Sequence, residues 1–318
     1  MAEQTRLLVL VDGSERAIQT ARYLTGFMPV GGHVQIVLFH VFNGTQEQRR
    51  ELEEHQACEG IAEQLRTQEQ EEKQGVLACL QQAKRILVDG GYRAEHVEIK
   101  FQCMVQGVAR DIIEEAKNGY SAVVLRRRGL GAIQNIILGS VAVKLLQALT
   151  FLPIILVGQE PPAKKLLLAV DASPHSKKAV EFAAHLLGKS KGYEARVLHV
   201  VQGLGAVRFE LAEGACPEQA EDASAEVCLK AFKAQVARLL HTAATLLTEG
   251  GFDPGRISKA VVTGARNRAE AIVTEAERNG CSTIVVGRRG LSRVDAFFMG
   301  RVSHAVVYAG KQFSVWVV

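Results

Sequence analysis

The sequence predicts an α/β protein of two tandem domains, each a five-stranded parallel sheet with helices on both faces. Three observations lead there. First, the chain repeats itself: Leu7-Leu8-Val9-Leu10-Val11-Asp12-Gly13-Ser14 returns as Leu166-Leu167-Leu168-Ala169-Val170-Asp171-Ala172-Ser173. Val37-Leu38-Phe39-His40-Val41 likewise returns as Arg196-Val197-Leu198-His199-Val200, and Gly129 and Gly139 return as Gly290 and Gly300. The offset is 159 at the aspartates and 161 at the glycines, so each copy fills about half of the 318 residues. Domains over 1–160 and 161–318 follow. Second, short apolar runs alternate with helical periodicity, the pattern of a parallel sheet with crossover helices. Third, glycine-bearing turns fall at matching places in both copies.

The elements follow in order. Residues 6–11 and 165–170 are apolar runs too short for a helix and read as buried parallel strands. Each runs into a turn where Ser14 or Ser173 is placed to cap a helix, with Pro174 suited to its first position. Apolar spacing then appears at Ala17, Ala21 and Leu24, and at Ala179, Phe182, Ala183 and Leu186. Second strands end at His40-Val41 and His199-Val200. Polar inserts follow at 46–74 and 202–225, read as surface loops that lead into long helices. Those helices stop at the matching pairs Gly90-Gly91 and Gly250-Gly251. Third strands are expected near 96–101 and 257–262, and helices near 108–117 and 267–278. Fourth strands fall at 122–125 and 283–286, and last strands at 153–157 and 313–318. Pro161-Pro162 marks the linker.

Composition narrows the functional classes. Hydrophobic residues make up 47% and charged residues 23%, as in an ordinary soluble globular protein. No apolar run approaches the roughly 20 residues of a membrane span, and the first residues lack the apolar stretch of a signal peptide. A cytoplasmic location is therefore expected. The six cysteines form no C-x-x-C pair and no zinc-site spacing, so they read as structural thiols. A net charge of +4 gives no case for nucleic acid. His40 and His199 end buried strands without an evident acidic partner and read as packed, hydrogen-bonded core residues.

The loop after the fourth strand carries the chemistry. In the second copy it reads Gly287-Arg288-Arg289-Gly290, nine residues, then Gly300-Arg301-Val302-Ser303. In the first it reads Arg126-Arg127-Arg128-Gly129, nine residues, then Gly139-Ser140-Val141. With the strand that runs into Asp-Gly-Ser, the chain resembles the universal stress protein family in its tandem form, over nearly its whole length and twice. The resemblance implies Rossmann-like, adenine nucleotide alpha hydrolase-like domains. The family signature is Gly, two residues, Gly, nine residues, Gly, then Ser or Thr. Glycines let the backbone approach phosphate oxygens, and a helix opening at the last glycine favours an anion.

By resemblance, the early aspartate lies beside the nucleoside, and the residue after the strand-ending histidine meets adenine through its backbone. The implied site in the second copy is Asp171, Val200, Gly287, Gly290, Gly300, Arg301 and Val302. In the first it is Asp12, Val41, Gly129, Gly139, Ser140 and Val141. Each copy departs from the signature once: Arg126 replaces the leading glycine in the first, and Arg301 replaces Ser or Thr in the second. Arg301 either pairs with a phosphate or fills its place, and the second copy is the better candidate. Two plainer readings stand beside these. Asp12 and Asp171 could simply bond the strand-to-helix turn, and Arg126–Arg128 could be a solvated loop instead of a phosphate clamp.

The resemblance implies a cytoplasmic, non-catalytic protein that binds ATP or a related adenine nucleotide in one or both domains to regulate a stress response. Magnesium as counter-ion is left open. The alternative is a scaffold with degenerate sites, acting through protein contacts or another ligand. No catalytic or metal-binding residues are expected: the His-x-Gly-His and Ser-Gly-Gly signatures of related-fold enzymes are absent, though slow ATP hydrolysis stays open. The resemblance also implies an internal pseudo-dimer through the last strands, 154–157 and 315–318, which are strongly β-prone. A further homodimer is left open, and neither membrane nor nucleic acid is expected as a partner.

Overall fold

Each copy opens on a strand of buried aliphatic residues, β1 (Thr5–Leu10) and β6 (Lys165–Ala169). The computed structural model describes residues 5–30, 34–44, 59–127, 138–159, 162–202, 208–210, 225–290 and 299–318. Gly129, Arg128 and Pro161 of the sequence reading lie outside them. In the first copy α1 (Arg16–Phe27), β2 (Val34–Phe42), α2 (Glu59–Asp89), β3 (Val97–Cys103), α3 (Val108–Ala116), β4 (Ala122–Arg126), α4 (Ser140–Ala148) and β5 (Ile154–Val157) follow. In the second come α5 (Pro174–Leu187), β7 (Glu194–Val200), β8 (Arg208–Glu210), α6 (Ala225–Glu249), β9 (Ile257–Val262), α7 (Arg268–Arg278), β10 (Thr283–Val286), α8 (Arg301–Ala309) and β11 (Ser314–Val317).

Two compact units emerge. The first spans most of residues 1–152, and its strands lie parallel in the order β3-β2-β1-β4. The second takes Pro153–Val318 together with Phe27–Pro29. Its order is β5-β11-β10-β6-β7-β9-β8, parallel from β11 to β9. In this unit β5 pairs antiparallel with β11, Ile155 opposite Trp316. The four residues of each strand are fully buried, so apolar burial and ladder bonds coincide there. Trp316 meets Phe182 and Phe27 edge-on at ring distances of 5.7 and 5.8 Å, a favoured aromatic geometry.

The polar inserts differ from expectation. Residues 59–74 are helical, the first half of α2. Their Glu, Gln and Lys side chains favour a helix without needing an apolar face. In the second insert β8 adds an antiparallel strand to β9, with Phe209 opposite Val261.

Each copy buries a glutamate at matching positions, Glu115 and Glu275. Glu115 accepts from Lys100 at 2.6 Å and from the Tyr120 hydroxyl at 2.5 Å. Burial alone raises its pKa, but those bonds, the Lys100 charge and Asn118 together pull the carboxyl below its ordinary value. Glu275 is held instead by Arg196, at 2.8 Å from both Nε and Nη2. The position is shared and the partner is not. Each carboxylate would be costly to bury without its cation.

Candidate functional site

The strand order reverses between β6 and β10, with β7 and β9 on one side and β11 on the other. In a sheet of this kind the crevice at the reversal, beyond the carboxyl ends of the strands, is where a ligand fits. A cavity of about 880 Å³ opens there in the second copy, a size suited to a small molecule. Asp171, Val200, Gly287, Gly290, Gly300, Arg301 and Val302 all line it. The structure thus brings together the residues expected of that copy.

Local chemistry explains the arrangement. The turn from β6 into α5 is fastened by Asp171, whose Oδ1 accepts the Ser173 amide at 3.0 Å, while Asp171 N donates to Ser176 Oγ at 3.0 Å. Ser173 caps α5 by accepting the Ser176 amide at 3.1 Å, and Pro174 opens the helix. Asp171 therefore does bond its own turn, while Oδ2 faces Gly290. A Cβ at Gly290 would lie 2.8 Å from that oxygen. At Gly287 a Cβ would lie 2.7 Å from the carbonyl carbon of His175 and the amide of Ser176. These glycines allow β10 and the loop after it to press against the start of α5. The loop is tied further: Gly300 N donates to Arg288 O at 2.8 Å, and Ser303 Oγ to Gly287 O at 2.6 Å.

The cavity is positively charged. Among the described residues, Arg266, Arg268, Arg289 and Arg301 line it against one carboxylate, Asp171. The imidazole of His175 registers this field. Burial first, then the charges of Lys178, Arg289 and Arg288, hold its pKa below the ordinary value against the opposing pull of Asp171. Arg301 is exposed at the first position of α8, and the cavity it lines is open. His199 Nδ1 lies 2.7 Å from Val170 O. A carbonyl only accepts, so Nδ1 carries the proton and Nε2 remains an acceptor. His40 repeats the contact with Val11 O at 2.7 Å, and burial holds its pKa below the ordinary value. Both histidines are hydrogen-bonded as expected, but only His40 is buried; His199 is half-buried and lines the cavity.

The first copy is built differently at the same positions. Asp12 Oδ1 bonds Ser14 N at 3.2 Å and Ser14 Oγ at 2.5 Å, and Oδ2 lies 3.4 Å from Arg16 Nη1. Gly13 adopts φ 74° where the second copy has Ala172. α1 begins at Arg16, so Ser14 stands two residues before the helix, with its Oγ 3.3 Å from Arg16 N. That departs from the capping role expected of it. At the position of Gly287 this copy has Arg126. Over this turn lies α2: a Cβ on Gly13 would be 2.7 Å from Val76 Cγ2, and Cys79 Sγ contacts Ser14 O at 3.1 Å. Val41 lies within β2 and is buried; Gly139 precedes α4, Ser140 opens it exposed, and Val141 follows. Arg127 is 4% exposed, and burial pushes its pKa down to about 10. Arg126 is half-buried. For these two residues the solvated-loop reading fails.

Comparison with known proteins bears on the whole chain. The sequence profile of the universal stress protein family matches residues 4–157 and 162–318. The chain belongs to the universal stress protein family. A universal stress protein from Mycolicibacterium smegmatis is 26% identical over 126 residues, 38% of this chain and 42% of that relative. The chain thus spans less than half of that relative's length. A universal stress protein from Archaeoglobus fulgidus shares the fold, with a TM-score of 0.58 and 20% identity over 98% of this chain and 95% of its own. A functionally unknown protein from Pseudomonas aeruginosa PAO1 does so at 0.54 and 14% identity, over 99% and 92%.

Sequence reading missed part of this universal stress protein's cavity wall: Arg266, Arg268 and Phe232. The signal for the two arginines was available. They follow β9, at the same end of the sheet as the residues that were found. Among the described residues no cluster of His, Cys, Asp or Glu could hold a metal ion, and no helix is long and apolar enough to cross a membrane.

Proposed function

We propose that this universal stress protein is a cytoplasmic, non-catalytic regulator of a stress response that binds ATP or a related adenine nucleotide in the second of two domains, 1–160 and 161–318. One observation carries the reading. The open cavity at the β6/β10 reversal gathers Asp171, Val200 and the three signature glycines on one wall system. In this reading the phosphates lie against the Gly287–Gly290 loop and the start of α8, where backbone amides and Arg301 supply donors. Asp171 lies beside the nucleoside, and the Val200 backbone meets the base. The site's residues bind and orient; among the described residues no general base stands beside an activatable nucleophile in it.

The first copy favours the second reading, a scaffold. Its aspartate is already engaged by Arg16, and Val76 lies over the turn that follows. We assign it contact with protein partners or a different ligand. The antiparallel pair β5–β11 supports an intrachain pseudo-dimer.

Equilibrium binding of labelled ATP to the full chain tests the nucleotide reading. Saturable binding is expected, lost in Asp171→Ala and in Gly290→Val, whose side chain would displace the Asp171 carboxylate. Absence of saturable binding in the unaltered chain would sink it.

A further inference from the structure

The positive charge of the second-copy cavity is not confined to the glycine loop. Arg289 and Arg301 belong to that loop and to the helix it opens, after β10. Arg266 and Arg268 flank the Asn267 cap of α7, after β9. Between β10 and β9 lie β6 and β7, so the two pairs of arginines leave the sheet three strand spacings apart, about 14 Å. A phosphate chain held by the glycine loop has no need of cations so far along the strand ends. The first copy sharpens the point. Where the second has Arg266, Arg268 and Arg301, it has Gln106, Val108 and Ser140. The added charge is a property of this one cavity and not of the fold.

Arg266 and Arg268 are exposed, and no acidic side chain is within ion-pair distance of either among the described pairs. The Arg266 carbonyl accepts from Gln202 Nε2 at 3.4 Å, which ties this loop to the end of β7. Asn267 Oδ1 accepts the amides of Ala269 and Glu270 at 3.0 and 3.4 Å. The helix start is thus already satisfied, and an anion here would be met by guanidinium groups. Guanidinium forks suit phosphate oxygens.

We propose that the second-copy cavity takes a nucleotide with phosphate at two separate places: one at the glycine loop, the other on the ribose 2′ or 3′ oxygen, read by Arg266 and Arg268. The inference rests on the nucleotide reading above and specifies its ligand class. It predicts that the placement of phosphates matters beyond their number.

Titration calorimetry of the full chain with ADP, adenosine 2′,5′-bisphosphate and adenosine 3′,5′-bisphosphate tests this, because the three carry two phosphates each. One of the bisphosphates is expected to bind about tenfold tighter than ADP, and which one identifies the ribose oxygen. In Arg266→Gln/Arg268→Gln that affinity ratio falls to about one. These side chains are exposed, so the substitutions leave the core intact. ADP binding as tightly as both bisphosphates, or a ratio that survives in the double variant, would overturn the inference and leave the nucleotide reading standing. If none of the three binds, the nucleotide reading fails and the inference fails with it.

Discussion

At the scale of single residues, two glycines three positions apart perform different tasks. Gly287 is needed because backbone lies against it, His175 and Ser176 at 2.7 Å from any Cβ. Gly290 faces only the end of the Asp171 side chain. Gly287→Ala should therefore destabilise the protein by about 1–3 kcal/mol, since overpacking against backbone finds little relief. Gly290→Ala should cost less than half of that, because a carboxylate can rotate away. Urea denaturation of the two variants measures the difference, and equal midpoints would refute this division of labour. Both glycines were legible in the sequence from spacing and repetition. The arginines at 266 and 268 were legible only as residues that follow β9 at the ligand end of the sheet, because their loop carries no motif. Arg127 and Arg288 were equally opaque: arginine reads as exposed, yet both are buried, at 4% and 3% exposure.

Among the elements, the helix that follows the opening strand starts differently in the two copies. α5 starts at Pro174 with Ser173 as its cap, whereas α1 starts at Arg16, whose amide donates at 3.3 Å to the Oγ of Ser14, one residue farther back. The copies also differ at the loop after the fourth strand, glycine at 287 against arginine at 126. Ser173→Ala should cost about 1 kcal/mol of stability through the lost cap. Ser14→Ala should cost less, because its hydroxyl's bonds, to Asp12 Oδ1 and from the Arg16 amide, are more exposed than the buried Ser173 cap. Thermal unfolding of both variants checks this, and a larger loss from Ser14→Ala would contradict it. Strands and helices with clear apolar periodicity were placed within a residue or two. The start of α2 escaped because residues 59–74 are polar on all sides, so no periodic signal marks them. β8 escaped because three residues give no period at all, and its pairing with β9 is a tertiary fact.

For the molecule as a whole, duplication has preserved the frame and released the site. Both copies keep the strand order, the buried glutamate and the histidine bonded to the carbonyl after the opening strand. They part at the strand reversal. The second copy holds an open, arginine-lined cavity, and the first engages its aspartate with Arg16 and sets α2 over the turn. The repeat in the sequence made the frame legible; what lies over each site depends on how long helices pack, which local sequence does not encode. In the function proposed above, one copy binds nucleotide and the other does not. Stoichiometry measured by titrating ATP into the full chain tests it most directly. One nucleotide per chain is predicted, abolished by Gly290→Val and retained in Asp12→Ala. Two nucleotides per chain, or one that survives Gly290→Val and is lost in Asp12→Ala, would contradict it.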